Sequence, residues 1–139
     1  MVAGMNAVSP PLSDADRPVR VHGLEDACGA LEAAAARGLP AVLVGPPGGG
    51  ALWLLRMAEA ARAAVPGAGC VVVHDCGDRA GEALGALAAG ATHVLFTGPP
   101  VVAERLAAIA ADRGAVVLRE LPSPCGPVRP APRSARVQP

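Results

Sequence analysis

The stretch Val71-Val72-Val73-His74-Asp75-Cys76-Gly77-Asp78 decides the fold of this chain. Three β-branched residues in succession predict a buried strand, because a strand covered on both faces is a continuous apolar run. Polar, ionisable and small residues follow at once, as at the point where a parallel strand passes into a helix. In α/β proteins that end of a strand carries the functional groups. We therefore expect an α/β domain whose functional site includes this stretch.

Predicted apolar strands and helices alternate along the chain both before and after residues 71–78. A helix can return the chain to start another parallel strand, so consecutive strand–helix units predict a parallel sheet whose strands all end at one edge. A glycine after the last apolar helical position ends three of the helices, at Gly38, Gly90 and Gly114. The predicted strands are 18–22, 41–44, 70–73, 93–96 and 115–118, and the predicted helices begin at Leu24, at Leu52, after an Asp78 cap and after Pro100.

Two architectures have this pattern. The first is half of a TIM-like (β/α) barrel, with five strands in sequential order. The alternative is a doubly wound sheet of the flavodoxin or Rossmann type, in which the strand order reverses at a switch point. In either case we assign the domain to residues 18–121, preceded by a flexible leader (1–17) and followed by a Pro/Arg-rich tail (122–139) that we expect to be disordered.

The composition excludes several classes of function. Aromatic residues make up 1% of the 139 residues, so Ala, Val and Leu must build the core. The net charge is zero, which predicts no nucleic-acid partner, and no apolar run is long enough to cross a membrane. The four Cys residues lack metal-type spacing and are interpreted as reduced thiols of a cytoplasmic protein.

A glycine loop, residues 45–50, follows the second strand. Free N–H groups at the start of the next helix favour an anion, so the loop is a candidate phosphate site. It is not a P-loop, because Ala51-Leu52 stand where Lys and Ser/Thr are needed. The alternative is a turn that lets strand and helix pack closely. The predicted phosphate-binding residues are Gly48, Gly49, Gly50, Thr97 and Gly98.

Asp75 and Cys76 are the candidates for chemistry. A carboxylate at the end of a buried strand is suited to general acid or base catalysis, and a neighbouring thiolate can bind a soft metal such as zinc. His22, His74 or Glu120 would complete the metal site. The alternatives are that Asp75 caps the following turn and that Cys76 is a packing residue. Strand alternation turns His74 and Cys76 to one side and Asp75 to the other.

Several runs of residues carry a resemblance to a known family. They are His22-Gly23-Leu24-Glu25, Leu31-Glu32-Ala33-Ala34, 40–44, Gly48-Gly49, 72–77, 86–96, 113–117 and Glu120. Together these runs resemble the opening of the class II (metal-dependent) fructose-bisphosphate and tagatose-bisphosphate aldolases. The likeness extends over nearly all of residues 18–121 but only about the first half of that family's eight-stranded barrel.

The resemblance implies specific roles. In that family an Asp-His pair ends this strand: the Asp transfers a proton and the His binds zinc. Asp75 matches the Asp, and Cys76 stands in place of the His. The remaining zinc histidines and the loops that hold substrate phosphate belong to the half of the barrel that has no counterpart here. Pro46-Pro47 also replace residues that tend to be Ser and Asn. The resemblance therefore implies a related fold without aldol chemistry.

Two functions remain as hypotheses. The favoured one is a small-ligand-binding or interaction module, with exposed sheet edges that predict a homodimer. The alternative is a small metal-dependent lyase or isomerase acting on a phosphorylated sugar or carbonyl compound. In that enzyme Asp75 would be the acid/base, Cys76 with His22 or Glu120 would hold zinc, and the glycine loop would hold phosphate.

Overall fold

A computed structural model describes residue 12, residues 17–122 and the backbone of residues 126–127. The strands are β1 (Pro18–Arg20), β2 (Ala41–Val44), β3 (Cys70–Asp75), β4 (His93–Leu95), β5 (Val116–Leu118) and β6 (Gly126–Pro127). These strands form one parallel sheet with the order β5-β4-β3-β2-β1-β6. The helices are α1 (Leu24–Ala36), α2 (Ala51–Ala64), α3 (Ala80–Ala88) and α4 (Pro100–Asp112).

The strand order separates the two predicted architectures. From β1 to β5 each strand pairs in parallel with the next one in sequence. The predicted five-stranded parallel sheet of consecutive βα units is therefore confirmed. The order of these five strands contains no reversal, as it would in the doubly wound alternative. The short β6, which follows β5 in sequence, pairs with β1 at the opposite edge of the sheet.

The helices cover one face of this sheet. Right-handed crossovers between sequential neighbours place successive helices on the same side, where α1 packs on α2 and α3 on α4. Small side chains on α1, including Ala27, Ala30 and Ala34, are buried against the sheet. An interior with so few aromatic rings is filled in this way, by close approach of helix and strand.

The second face of the sheet is also buried within this one chain. Strand alternation turns Val42, Val44 and Val73 to this face, and each is at most 1% exposed. Leu12 and Leu121 pack against them. These two residues come from outside the strands that form the face, so the chain supplies its own cover there.

Leu12 belongs to the predicted leader, and β6 belongs to the predicted tail. β6 adds a two-residue strand beside β1, in parallel. The other residues of the leader and the tail, apart from residues 17 and 122, lie outside the described residues. No helix in the described part of the chain is long and apolar enough to cross a membrane.

Most predicted boundaries are correct to within one or two residues, but the cap of α3 was wrong. The residue that precedes α3 is Arg79, and no side chain makes a capping hydrogen bond there. Asp78 does not cap this helix because the chain turns at Gly77, which has a φ of 55°, and α3 begins only at Ala80. β3 also runs two residues further than expected, to Asp75.

Candidate functional site

The carboxyl ends of the strands lie along one edge of the sheet, because all described strands are parallel. The glycine loop (residues 45–50) leads from β2 into α2 at this edge. Asp75 ends β3 there, and Thr97-Gly98 follow β4. The predicted grouping of polar and glycine residues along one rim therefore holds for these three segments.

Asp75 is held by an ion pair and by a turn. Its Oδ2 lies 2.9 Å from a guanidinium nitrogen of Arg20, and its Oδ1 accepts the Gly77 N–H at 3.1 Å. Arg20 also donates to the Gly45 carbonyl at 3.2 Å, so one guanidinium joins the ends of β1, β2 and β3. The expectation that Asp75 caps the following turn is confirmed. Both of its oxygens are engaged, and its side chain is 10% exposed.

Arg20 was not predicted as a partner of Asp75. It lies in register with Val44 and Val73, and Asp75 follows Val73 by two residues, so both charged side chains extend from the second face of the sheet. An Arg on a strand whose neighbours are apolar is a signal for such a pair, but the sequence does not say which carboxylate it meets.

The glycine loop borders a shallow depression at the surface of the protein. It has no enclosed space for even one water molecule, so a ligand group can lie only at its opening and is not enclosed by it. Its lining residues are Gly45, Pro46, Gly49, Trp53, Leu54, His74 and Asp75.

The loop itself has two kinds of glycine. A Cβ on Gly45 would lie 2.6 Å from Leu54 Cδ2, so this glycine permits the close strand–helix packing that was the alternative interpretation. Gly48 has a φ of 79° and turns the loop, while a Cβ on Gly50 would meet nothing within 4 Å. Gly50 precedes α2, and no side chain caps that helix. The depression therefore lies beside an uncapped helix N-terminus.

From the sequence, His74 was considered only as a possible metal ligand. It is 4% exposed, and its Nε2 is buried with no hydrogen-bond partner. Leaving such a group unpaired costs about 1–3 kcal/mol. Burial lowers the pKa of His74 from 6.5 to about 4, so the imidazole is neutral near pH 7. The feature of the sequence that could have indicated this is a titratable residue directly after the apolar run Val71-Val72-Val73.

The predicted metal ligands are not brought together. Cys76 is 3% exposed and packs with Ala83 and Phe96 in the core between α3 and the sheet. Burial, reinforced by nearby carboxylates, raises the pKa of Cys76 to about 11, so its thiol stays protonated. His22 is exposed and lies 3.7 Å from Asp26, and Glu120 is exposed. Within residues 17–122, no group of three or more His, Cys, Asp and Glu side chains could hold a metal ion.

This separation follows from the alternation of strand side chains. Asp75 extends from the second face, whereas Cys76 joins the core on the helix-covered face, as the alternation predicted. The Cys76 thiol is 3.7 Å from the His74 carbonyl, which fits a packing residue with a weak donor.

Thr97 and Gly98, predicted to help bind phosphate, do not line the depression. The Thr97 N–H donates to the Gly77 carbonyl at 2.8 Å. Arg119 donates to the carbonyls of Phe96 and Gly98 at 2.8 and 2.7 Å. This turn is thus fixed by bonds within the fold. Of the five residues predicted to bind phosphate, only Gly49 lines the depression.

Comparisons with known proteins add no identification. No protein-family model matches the chain, and no curated protein matches it. The likeness to class II aldolases thus depends on the sequence motifs alone. The site thus consists of a shallow depression beside the uncapped N–H groups of α2. His74, whose Nε2 has no partner, lines it, and so does Asp75, whose two oxygens are already engaged.

Proposed function

We propose that this chain is an aldolase-like half-barrel that has no aldolase activity and binds a small phosphorylated ligand at the glycine loop. The observation that supports this proposal is the depression at the carboxyl edge of the sheet. It combines the loop, the N-terminus of α2 and a buried His74 that has an unpaired polar atom.

The start of α2 has the donors that an oxyanion requires. The Leu54 N–H donates to the Gly50 carbonyl at 3.1 Å, which is the first hydrogen bond of the helix. The N–H groups of Ala51, Leu52 and Trp53 lie before it and have no acceptor within the helix. The helix has 14 residues, and its dipole adds to the attraction for negative charge. A phosphate group would lie at the opening of the depression, against these N–H groups, and the rest of the ligand would extend over the rim.

The same geometry argues against aldol chemistry. In the family that the motifs resemble, the residue matching Asp75 transfers a proton, but here Asp75 is engaged by Arg20 and by Gly77. Cys76 replaces the zinc-binding His and is a buried, protonated thiol. A metal-dependent lyase or isomerase would need the Cys76, His22 and Glu120 set, which the fold keeps apart. We therefore favour the binding module over the enzyme.

Trp53 makes the binding proposal directly testable. It is the only Trp in the chain, there is no Tyr, and it lines the depression, so intrinsic fluorescence reports on this site. We would titrate the purified chain with inorganic phosphate, a triose phosphate and a hexose bisphosphate. A saturable change in Trp53 emission is expected for at least one of them. If none produces a saturable change, the proposal is wrong.

A matched pair of variants locates the anion. Gly50→Asp and Gly50→Asn have the same shape, and both residue types are favoured at a helix N-cap. A Cβ at Gly50 meets no atom within 4 Å, and the residue is exposed. The Asp variant places a negative charge at the site and should abolish phosphate binding, whereas the Asn variant should retain more of it. Equal affinities in the two variants would place the anion elsewhere.

Absence of aldolase activity has its own assay. Cleavage of a hexose bisphosphate with added Zn²⁺ should not exceed the rate without protein. Turnover that increases in proportion to protein concentration, and is lost in Asp75→Asn, would overturn this part of the proposal and favour the lyase.

We also propose that the chain forms a homodimer, through a sheet edge. β5 has β4 on one side and, within the described residues, no strand on the other. Its Val116-Val117-Leu118 sequence favours strand pairing. The second face of the sheet is already buried within one chain, so a partner is not needed to cover it. Light scattering over increasing concentration tests this, and a monomer at the highest concentration contradicts it.

A further inference from the structure

Three large apolar side chains are exposed at the start of the first two helices. Leu24 begins α1, and Leu52 and Trp53 lie in the first turn of α2. Their exposed fractions are 46%, 57% and 44%. Because α1 and α2 pack side by side and begin at the same edge of the sheet, these residues form one apolar surface, which we call the α1–α2 patch. Single exposed apolar residues are ordinary, but a group that includes the only Trp of the chain is typical of a surface that another segment covers.

The described backbone ends beside this patch. β6 pairs with β1 in parallel, and Pro127 lies in register with Arg20, so residue 128 emerges at the carboxyl edge of the sheet. α1 and α2 begin at that edge, because they follow β1 and β2. Neighbouring strands are about 4.8 Å apart, so β6 lies about 10 Å from β2. A segment of the length of residues 128–139 can extend over about 40 Å, which is enough to cross the patch.

We propose that residues 128–139, here called the C-terminal segment, dock across the α1–α2 patch of the same chain, with their arginines against Trp53 and the carboxylates of α1. This inference goes beyond the proposed ligand binding and does not depend on it. β6 holds the beginning of the segment at the carboxyl edge, so its effective concentration at the patch is high. The patch is therefore covered from within one chain, as the second face of the sheet is covered by Leu12 and Leu121.

The composition of the C-terminal segment suits this surface. It carries Arg129, Arg133 and Arg136 and no acidic side chain, and its other residues include Pro and Val. A guanidinium stacks on an indole ring while its stem covers apolar surface, so these side chains fit the exposed Trp53. Proline restricts the free segment, which lowers the conformational entropy lost on docking.

The first turn of α1 adds complementary charge. It contains Glu25 and Asp26, directly after Leu24. Glu25 is exposed and has no ion-pair partner within residues 17–122. Arg56 is also exposed and lies one turn along α2 from Leu52, where it would repel a second guanidinium. We therefore expect the arginines of the C-terminal segment to lie towards α1.

The test removes the three charges from the full-length chain with the variant Arg129→Gln/Arg133→Gln/Arg136→Gln. Trp53 reports on the patch, because the chain has one Trp and no Tyr and therefore a single indole emission and a single indole N–H NMR signal. With no ligand added, the variant should emit at longer wavelength than wild type and be quenched more strongly by acrylamide, and its indole N–H signal should shift. A variant that equals wild type in all three measurements would overturn the inference.

A matched control separates docking from net charge. Arg37→Gln/Arg105→Gln/Arg113→Gln removes the same charge from exposed positions away from the starts of α1 and α2, so it should leave Trp53 as in wild type. If it changes Trp53 as much as the first variant does, net charge is the cause and the inference is wrong. Shielding of Trp53 in wild type that decreases on dilution would mean that a second copy covers the patch, which also contradicts docking within one chain.

Discussion

Acidification should destabilise this fold through His74. The folded chain holds His74 neutral down to a pKa of about 4, whereas the unfolded chain takes up a proton with the ordinary pKa of 6.5. Between these two values the unfolded state binds more protons, so the free energy of unfolding decreases as the pH falls. Above pH 6.5 His74 is neutral in both states, so it does not reduce the free energy of unfolding. The reduction grows as the pH falls from 6.5 towards 4.

The size of the loss follows from the two pKa values. They differ by about 2.5 pH units, and each unit is worth about 1.4 kcal/mol, so the full loss is about 3 kcal/mol. At about pH 5 the linkage relation gives about 2 kcal/mol. Domains of this size have total stabilities of about 5–15 kcal/mol, so the effect is large enough to measure.

The assay is urea unfolding followed by circular dichroism at several pH values between about 7.5 and 5, for wild type and His74→Phe. Subtracting the two curves removes the contribution of the carboxylates, which titrate in both proteins. The difference in unfolding free energy should change by about 2 kcal/mol across this range, in the direction that favours the variant at low pH. A difference that does not change with pH would refute the reasoning, because His74 would then not be buried and neutral.

Two further substitutions test the packing and the ion pair at the rim. Gly98→Ala would place a Cβ 2.4 Å from the Phe96 ring, and we expect it to destabilise the fold by about 1–3 kcal/mol in thermal unfolding. Gly29→Ala, in open space on α1, is its control and should be stabilising by up to about 1 kcal/mol. Arg20→Gln leaves the mostly buried Asp75 without its cation and should cost about 1–2 kcal/mol in urea unfolding at neutral pH. If the double variant Arg20→Gln/Asp75→Asn is no more stable than Arg20→Gln, the ion pair is not the cause.

The order of strands and helices was predictable because its signals are local. Apolar runs such as 41–44 lie within a few residues of the glycines that end the helices. Gly38, Gly90 and Gly114 all have positive φ, as a glycine after a helix requires. Parallel pairing followed from the helical connections. The choice between a sequential and a doubly wound sheet did not follow, because it depends on which strands become neighbours.

The site was only partly predictable for the same reason. The sequence identified Asp75 and the glycine loop, which lie at a strand end and a helix start. It did not identify Arg20, which is 55 residues from Asp75 along the chain and meets it only through the register of β1, β2 and β3. The predicted zinc set failed to assemble because Cys76 turns into the core on the opposite face from Asp75.

By itself, the sequence determined the alternation of strands and helices and the single edge where the strands end, since hydrophobic period and glycine stops act over a few residues. Only the tertiary structure decided the sequential strand order, the Arg20–Asp75 pair and the unpaired His74 nitrogen. These features depend on which side chains from distant segments come within hydrogen-bonding distance, and that distance is set by strand register and by the face from which each side chain extends.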